Sequence, residues 1–151
     1  MTQPSLCAKT LTQLTYISSA VRPMTGDELT ALLTKARTYN RSHAITGMLI
    51  YIDGSFLQIL EGEPSAVLAL NERIKSDPRH SGVINMLSRT ISQRAFADWS
   101  MGFKEAADLS EPEQQACAAL FATRKGPANA ITTDHVAEII VRSFITNNLA
   151  H

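Results

Sequence analysis

Two apolar runs joined by Asp53-Gly54 constrain this chain more than any other feature. Ile45-Thr-Gly-Met-Leu-Ile-Tyr-Ile52 and Ser55-Phe-Leu-Gln-Ile-Leu60 each have the length of a strand. A two-residue Asp-Gly link is the turn that the right-handed twist of paired strands selects, so the two runs form an antiparallel hairpin. The first run is almost continuously apolar rather than alternating, which calls for a central strand covered on both faces. In the second, period two puts Phe56, Gln58 and Leu60 on one face. A buried amide left unpaired costs about 1–3 kcal/mol, so Gln58 requires a partner, either another side chain or a ligand.

The flanking segments supply the layers. Leu11 to Ser18 is rich in β-formers and alternates, with Leu14, Tyr16 and Ser18 on one face. Thr25-Gly-Asp-Glu28 is a capping box that opens a helix over about 26–40. Its apolar stripe is Leu29, Leu32, Leu33 and Ala36, and the i+4 steps from Leu32 through Ala36 reach Asn40, which continues the buried face. Glu61-Gly62-Glu63 ends the hairpin, and Pro64 opens a second helix that runs to about 76, with Val67, Leu70 and Ile74 inward and Arg73 beside them. Asp77-Pro78-Arg79-His80 stops that helix. Strands follow over Val83–Ile91 and Trp99–Lys104, joined by a polar stretch.

The order βαββαββ is most economically an α+β, ferredoxin-like sandwich, with both crossover helices on one face of an antiparallel sheet and an extra edge strand. Helices nearer the C-terminus should cover the other face. Ser110-Glu-Pro-Glu113 is a second capping box, opening a helix to about 123, and Asp134–Asn148 reads as a last helix. That last segment is apolar on more than one stripe, which suits sheet docking plus a contact between subunits of a homo-oligomer. The chain thus divides into a lead-in over 1–10, a core over 11–107 and a helical extension over 108–151 for output or oligomerisation.

Composition narrows the partners. At 151 residues, 44% of them hydrophobic, the chain can bury one core, and its 14 basic residues cancel its 14 acidic ones. Neither a nucleic-acid stripe nor a membrane-surface patch is encoded. Cys7 and Cys117 lack metal spacing, and with no signal peptide or long apolar run a cytoplasmic chain with inert, reduced thiols is expected. The histidines at 43, 80, 135 and 151 sit in no hydrolase or transferase motif, and His43 and His80 read as loop residues. The strand assignments instead bring Tyr16, Gln58, Trp99 and Met101 to one sheet face, beneath Asn40 and Arg73 from the two helices. Two apolar walls, two carboxamides and a guanidinium suit a planar heteroaromatic such as a flavin. Taken singly, Tyr16, Trp99 and Met101 are equally readable as core, Asn40 as a cap and Arg73 as a solvated helix residue.

Together these residues resemble a BLUF domain, a blue-light sensor using FAD. The resemblance rests on Tyr16-Ile-Ser-Ser, Asn40-x-x-x-x-Ile-Thr-Gly-Met-Leu-Ile-Tyr, Phe56-Leu-Gln-Ile-Leu-Glu-Gly, Arg73-Ile74, Asp77-x-Arg-His80 and Trp99-Ser-Met101, collinear over residues 11–107. It implies FAD between the two helices, with Leu32 and Ile74 flanking the ring, Asn40 on its C4=O/N3–H edge and Arg73 at the pyrimidine end. Asp77, Arg79 and His80 match positions near the rest of the cofactor. Tyr39 and Ala36 are possible ring neighbours. Tyr16 and Gln58 match the photochemical pair: the excited flavin takes an electron and a proton from Tyr16, the radical pair recombines to leave the flavin oxidised, and Gln58 is left with rearranged hydrogen bonds, by rotation or tautomerisation. The resulting red-shifted state is relayed through Trp99 and Met101 to a downstream signalling protein. The expected chain is a non-catalytic photoreceptor. A small flavin-dependent redox enzyme and a metabolite-binding regulatory module of the same fold are the competing expectations.

Overall fold

The computed structural model of the chain describes residues 10–78, 80–97 and 100–122. Strand β1 (Leu11–Ala20) leads through helix α1 (Gly26–Ser42) to the hairpin β2 (Thr46–Ile52) and β3 (Ser55–Gly62). Helix α2 (Pro64–Lys75), β4 (His80–Ile91), β5 (Gly102–Glu105), a single 3₁₀ turn (Ala106–Asp108) and α3 (Glu111–Ala122) follow. The five strands lie in the order β4-β1-β3-β2-β5. The first four are antiparallel neighbours, as in a ferredoxin-like sandwich, and β5 adds to the β2 edge in parallel. The lead-in up to residue 9, Arg79, Trp99 and the expected helix over 134–148 lie outside the described residues. None of the described helices is long and apolar enough to cross a membrane.

Local chemistry accounts for these elements. Asp53 and Gly54 both have positive φ, 48° and 81°, as the primed hairpin turn requires. The α1 capping box is closed in both directions: Glu28 N–H donates to Thr25 Oγ1, and Thr25 N–H to Glu28 Oε1. Ser110 and Glu113 repeat the arrangement at α3. Helix α1 runs two residues beyond Asn40 and ends in a Schellman motif, in which Ile45 N–H bonds Asn40 O at 2.9 Å and Ala44 N–H bonds Arg41 O. The left-handed position, φ 55°, is filled by Ala44 rather than glycine, so the stop carries no sequence signal.

Two cores sandwich the sheet. Leu14, Tyr16, Leu49, Phe56 and Leu60 meet Leu29 and Leu33 of α1 and Val67 and Leu70 of α2. On the other face Ile17, Met48, Ile50, Leu57 and Ile59 meet Phe96, Leu109 and Cys117, so α3 supplies part of the cover that the sandwich needs. Burial, and secondarily the Glu113 carboxylate, push the Cys117 thiol up to about 12, which keeps it protonated and inert. At Gly47 a Cβ would lie 1.9 Å from Ile59 O, so glycine alone allows β2 to approach β3 here.

Two strand boundaries differ from the sequence expectation. β4 begins at His80, not Val83, because the ten-residue β1 extends the ladder to Ala20↔His80. Two register shifts and Gly82 at φ 62° interrupt it and hide it from a period-two reading. His80 is therefore a strand residue rather than a loop residue. β5 begins at Gly102, not Trp99. The carbonyls of Ser100 and Met101 accept from Asn40 Nδ2 at 2.7 Å and Arg37 Nε at 2.9 Å, so helix α1 takes the groups that a longer strand would have offered to β2.

A non-glycine residue in the left-handed region costs about 1–2 kcal/mol, offset in part by the greater unfolded-state entropy of glycine. Ala44→Gly is therefore expected to stabilise the protein by roughly 0.5–1 kcal/mol, read as a higher urea midpoint at unchanged slope.

Candidate functional site

A cleft of about 200 Å³ opens between the two crossover helices over the middle of the sheet. Leu32, Lys35, Ala36, Tyr39 and Asn40 come from α1, Leu70, Arg73 and Ile74 from α2, and Asp77 from just beyond it. Leu49 of β2 and Gln58 of β3 form the floor. Of the lining residues Asn40, Leu49, Gln58 and Leu70 are buried, Leu32, Ile74 and Asp77 half-buried, and Lys35 and Arg73 exposed. Tyr39 stacks on His43 with ring centroids 3.9 Å apart, and the Arg73 guanidinium lies over the Tyr39 ring, 4.7 Å from its centroid, so the two helices are bridged at the cleft margin.

A hydrogen-bonded chain runs beneath that floor. Tyr16 lies directly across the β1–β3 ladder from Gln58 and donates its hydroxyl proton to Gln58 Oε1. Gln58 Nε2 donates in turn to Met101 Sδ at 3.4 Å. Tyr16 is fully buried, and that burial, with a smaller contribution from the Asp77 carboxylate, holds its phenol above the ordinary value. The hydroxyl proton has one acceptor already in place, Gln58 Oε1. Asn40 is also buried; its Nδ2 reaches Ser100 O, while its Oδ1 has no partner among the described residues.

The sequence-derived set is thus largely brought together. Leu32, Asn40, Gln58, Arg73, Ile74 and Asp77 line the cleft. Tyr16 and Met101 join it through Gln58. Met101 arrives on the loop before β5 rather than by strand alternation. Arg79 and Trp99 lie outside the described residues, and His80 is placed as the first residue of β4. Sequence reasoning missed Lys35, Leu49 and Leu70. Lys35 sits one turn before Tyr39 at i−4, and that spacing was the available signal. It also missed Asn71, buried in α2, which exchanges two hydrogen bonds with Asn85 of β4 at 3.1 and 3.2 Å.

The sequence model of the BLUF family, sensors of blue light using FAD, matches residues 11–102. The chain belongs to the BLUF family. The photoactivated adenylate cyclase subunit beta of Euglena longa is 42% identical over an alignment of 102 residues that covers 65% of this chain and 12% of that protein. Its Euglena gracilis counterpart is 41% identical over 93 residues, 61% of this chain and 11% of that protein. The chain therefore spans about an eighth of the length of these relatives. Among solved structures, the dark state of BlrB, a BLUF protein, matches with a TM-score of 0.73 at 27% identity, covering 92% of this chain and 98% of that one. A bacterial light-regulated adenylyl cyclase matches with a TM-score of 0.65 at 30% identity, over 83% of this chain and 34% of its own.

FAD is the cofactor of the BLUF family, and the cleft fits its ring. The unpartnered Asn40 Oδ1 is a buried acceptor awaiting a donor, such as the N3–H of a flavin. Apolar Leu32, Leu49, Leu70 and Ile74 suit the faces of an aromatic system. Removing a hydrogen-bonding partner from a buried group costs about 1–3 kcal/mol. Asn40→Ala is accordingly expected to weaken FAD binding by about tenfold, measured by titrating the quenching of flavin fluorescence with apoprotein.

Proposed function

We propose that this BLUF chain senses blue light through the Tyr16–Gln58 pair and signals by changing its contacts with another protein. In this reading Asn40 holds the N3–H edge of the ring, Leu32 and Ile74 pack its faces, and Arg73, with Asp77, Arg79 and His80, serves the remainder of the cofactor. The observation that carries the reading is the chain Tyr16–Gln58–Met101 beneath a cleft whose floor is Gln58 itself.

When bound, FAD supplies the absorption of blue light and, excited, accepts an electron. The residues supply the rest. Tyr16 is a phenol, oxidisable at the cost of losing its proton, and its burial keeps that proton on the oxygen until an electron leaves. Gln58 Oε1 accepts the hydroxyl hydrogen bond and so takes the proton along a path already formed. An amide that gains a proton on oxygen and gives one up from nitrogen, or that turns end for end, presents a donor where it had an acceptor. Gln58 can do this while remaining neutral. Its other end bonds Met101, so any exchange of its donor and acceptor ends changes what the loop before β5 is held by.

Output then lies beyond Met101, through β5 and α3, with Trp99 as a second relay residue. The Euglena relatives are named as adenylate cyclase subunits, which is a property of those longer proteins. For this chain the reading is a photosensor without catalysis of its own, with a downstream signalling protein or a second copy as partner.

Purified with FAD, the protein is expected to be yellow and to undergo a reversible red shift of its flavin band under blue light. Gln58→Leu, which keeps the volume and removes both hydrogen-bonding ends, is expected to abolish the shift, and Tyr16→Phe to block the normal cycle. An unshifted spectrum in the wild-type protein, or an unchanged cycle in either variant, would sink the assignment. Light-dependent elution on size-exclusion chromatography, alone and with candidate partners, tests the output.

A further inference from the structure

The chain leaves β4 at one edge of the sheet and enters β5 at the other after ten residues, and Phe96 between them packs with Ile50, Leu57 and Ile59 on the face opposite the cleft. Four strand spacings are roughly 19 Å, a distance ten residues cover with slack. The slack is removed by Glu61. This residue is three beyond Gln58 on β3, so it points to the opposite face, and it is fully buried. Its Oε2 accepts from Ala95 N–H at 2.9 Å and its Oε1 from Phe96 N–H at 2.9 Å. Gln13 Nε2 donates to Oε2 at 2.7 Å, and Arg89 Nε donates to Gln13 Oε1 at 2.9 Å. Arg94 adds bonds to the backbone carbonyls of Glu61 and Ala44 and to Thr46 Oγ1.

We propose that Glu61 is a positioning residue for the photocycle: from the back of the sheet it pins the crossing segment at Ala95 and Phe96, and so sets where Met101 meets Gln58. The proposal rests on the Tyr16–Gln58 reading. The segment is tied to Glu61 at 95–96, through the Arg94 side chain to Glu61 O, Ala44 O and Thr46, and to Asn40, Arg37 and Gln58 at 100–101. Of these ties, those at 100–101 meet the cleft, and the tie at 95–96 does not. A carboxylate suits the role because it accepts from two backbone amides and a carboxamide at once, and it has no donor of its own to be left unpaired. Loosening this tie leaves Met101 free to follow Gln58, which lowers the resistance to the return of the amide to its dark arrangement.

Two measurements on the full chain test this, one of them without FAD. In the FAD-free protein the Ala95 and Phe96 amides are expected to be protected from hydrogen exchange, and Glu61→Gln to speed at least one of them tenfold, since its NH₂ replaces one of the two oxygens and so faces the Ala95 or the Phe96 N–H. In the FAD-loaded protein the same variant is expected to recover in the dark at least threefold faster. In the double swap, Gln13→Glu with Glu61→Gln, the carboxylate at position 13 accepts from Arg89 and from the NH₂ at position 61, whose amide oxygen keeps the Phe96 N–H while the Ala95 N–H loses its acceptor. The swap is expected to return Phe96 exchange to within twofold of wild type, to leave Ala95 exchange fast, and to give a dark recovery between those of wild type and Glu61→Gln. Faster exchange with unchanged recovery reduces Glu61 to a structural role and overturns the proposal, as does an unrescued swap. Should Glu61→Gln fail to fold, the swap carries the test alone: fast Ala95 exchange with a dark recovery faster than wild type supports the proposal, and fast Ala95 exchange with unchanged recovery overturns it. A wild-type protein without a red shift overturns the Tyr16–Gln58 reading and this proposal with it; a cycling wild type beside an unaffected Glu61→Gln overturns this proposal only.

Discussion

Everything at the site depends on the register between β1 and β3. The two strands pair without a break from Thr12↔Gly62 to Ser19↔Ser55, and this sets Tyr16 directly opposite Gln58. Side chains alternate faces, so a slip of one residue would send one of the pair through the sheet. The structure guards against that slip. The hairpin turn fixes β3 against β2, all eight residues of β3 are buried, and both register shifts in β1 fall on its β4 side. Irregularity is confined to the ladder that does not pair Tyr16 with Gln58.

The same strand serves two faces with two kinds of polar group. On the cleft side Gln58 is an amide, able to exchange its donor and acceptor ends. On the other side Glu61 is an acceptor only, surrounded by donors that hold it in one arrangement. A movable group and a fixed one, three residues apart on a rigid central strand, both act on the segment that ends at Met101. Buried polar groups are costly unless satisfied, and these are satisfied largely by elements that come together only when the fold is complete.

Much of this was legible in the chain. The Asp53-Gly54 turn, both capping boxes, Pro64 at the start of α2 and the buried face through Asn40 are local signals, and each element formed where its signal lay. Gln58 was conspicuous because an amide among apolar residues has to be answered. What could not be read depends on contacts distant in sequence. Met101 reaches Gln58 because α1 side chains hold the carbonyls of residues 100 and 101, a fact that no periodicity encodes. Glu61 looked like the polar end of a strand, since its donors come from residues 13, 95 and 96. Asn71 reads as a surface helix residue until Asn85 is brought opposite it. The end of α1 was misjudged because Ala44 adopts a conformation that glycine would have advertised.

The parallel strand β5 is only four residues long, pairs with β2 alone and sits at the rim of the sheet. Cooperative units with few partners open at free energies well below that of global unfolding. The edge strand that Met101 adjoins is therefore the part of the sheet that can shift while the central strands stay put. A photoreceptor whose antenna must be rigid and whose readout must yield has, in this order of strands, both properties in one sheet.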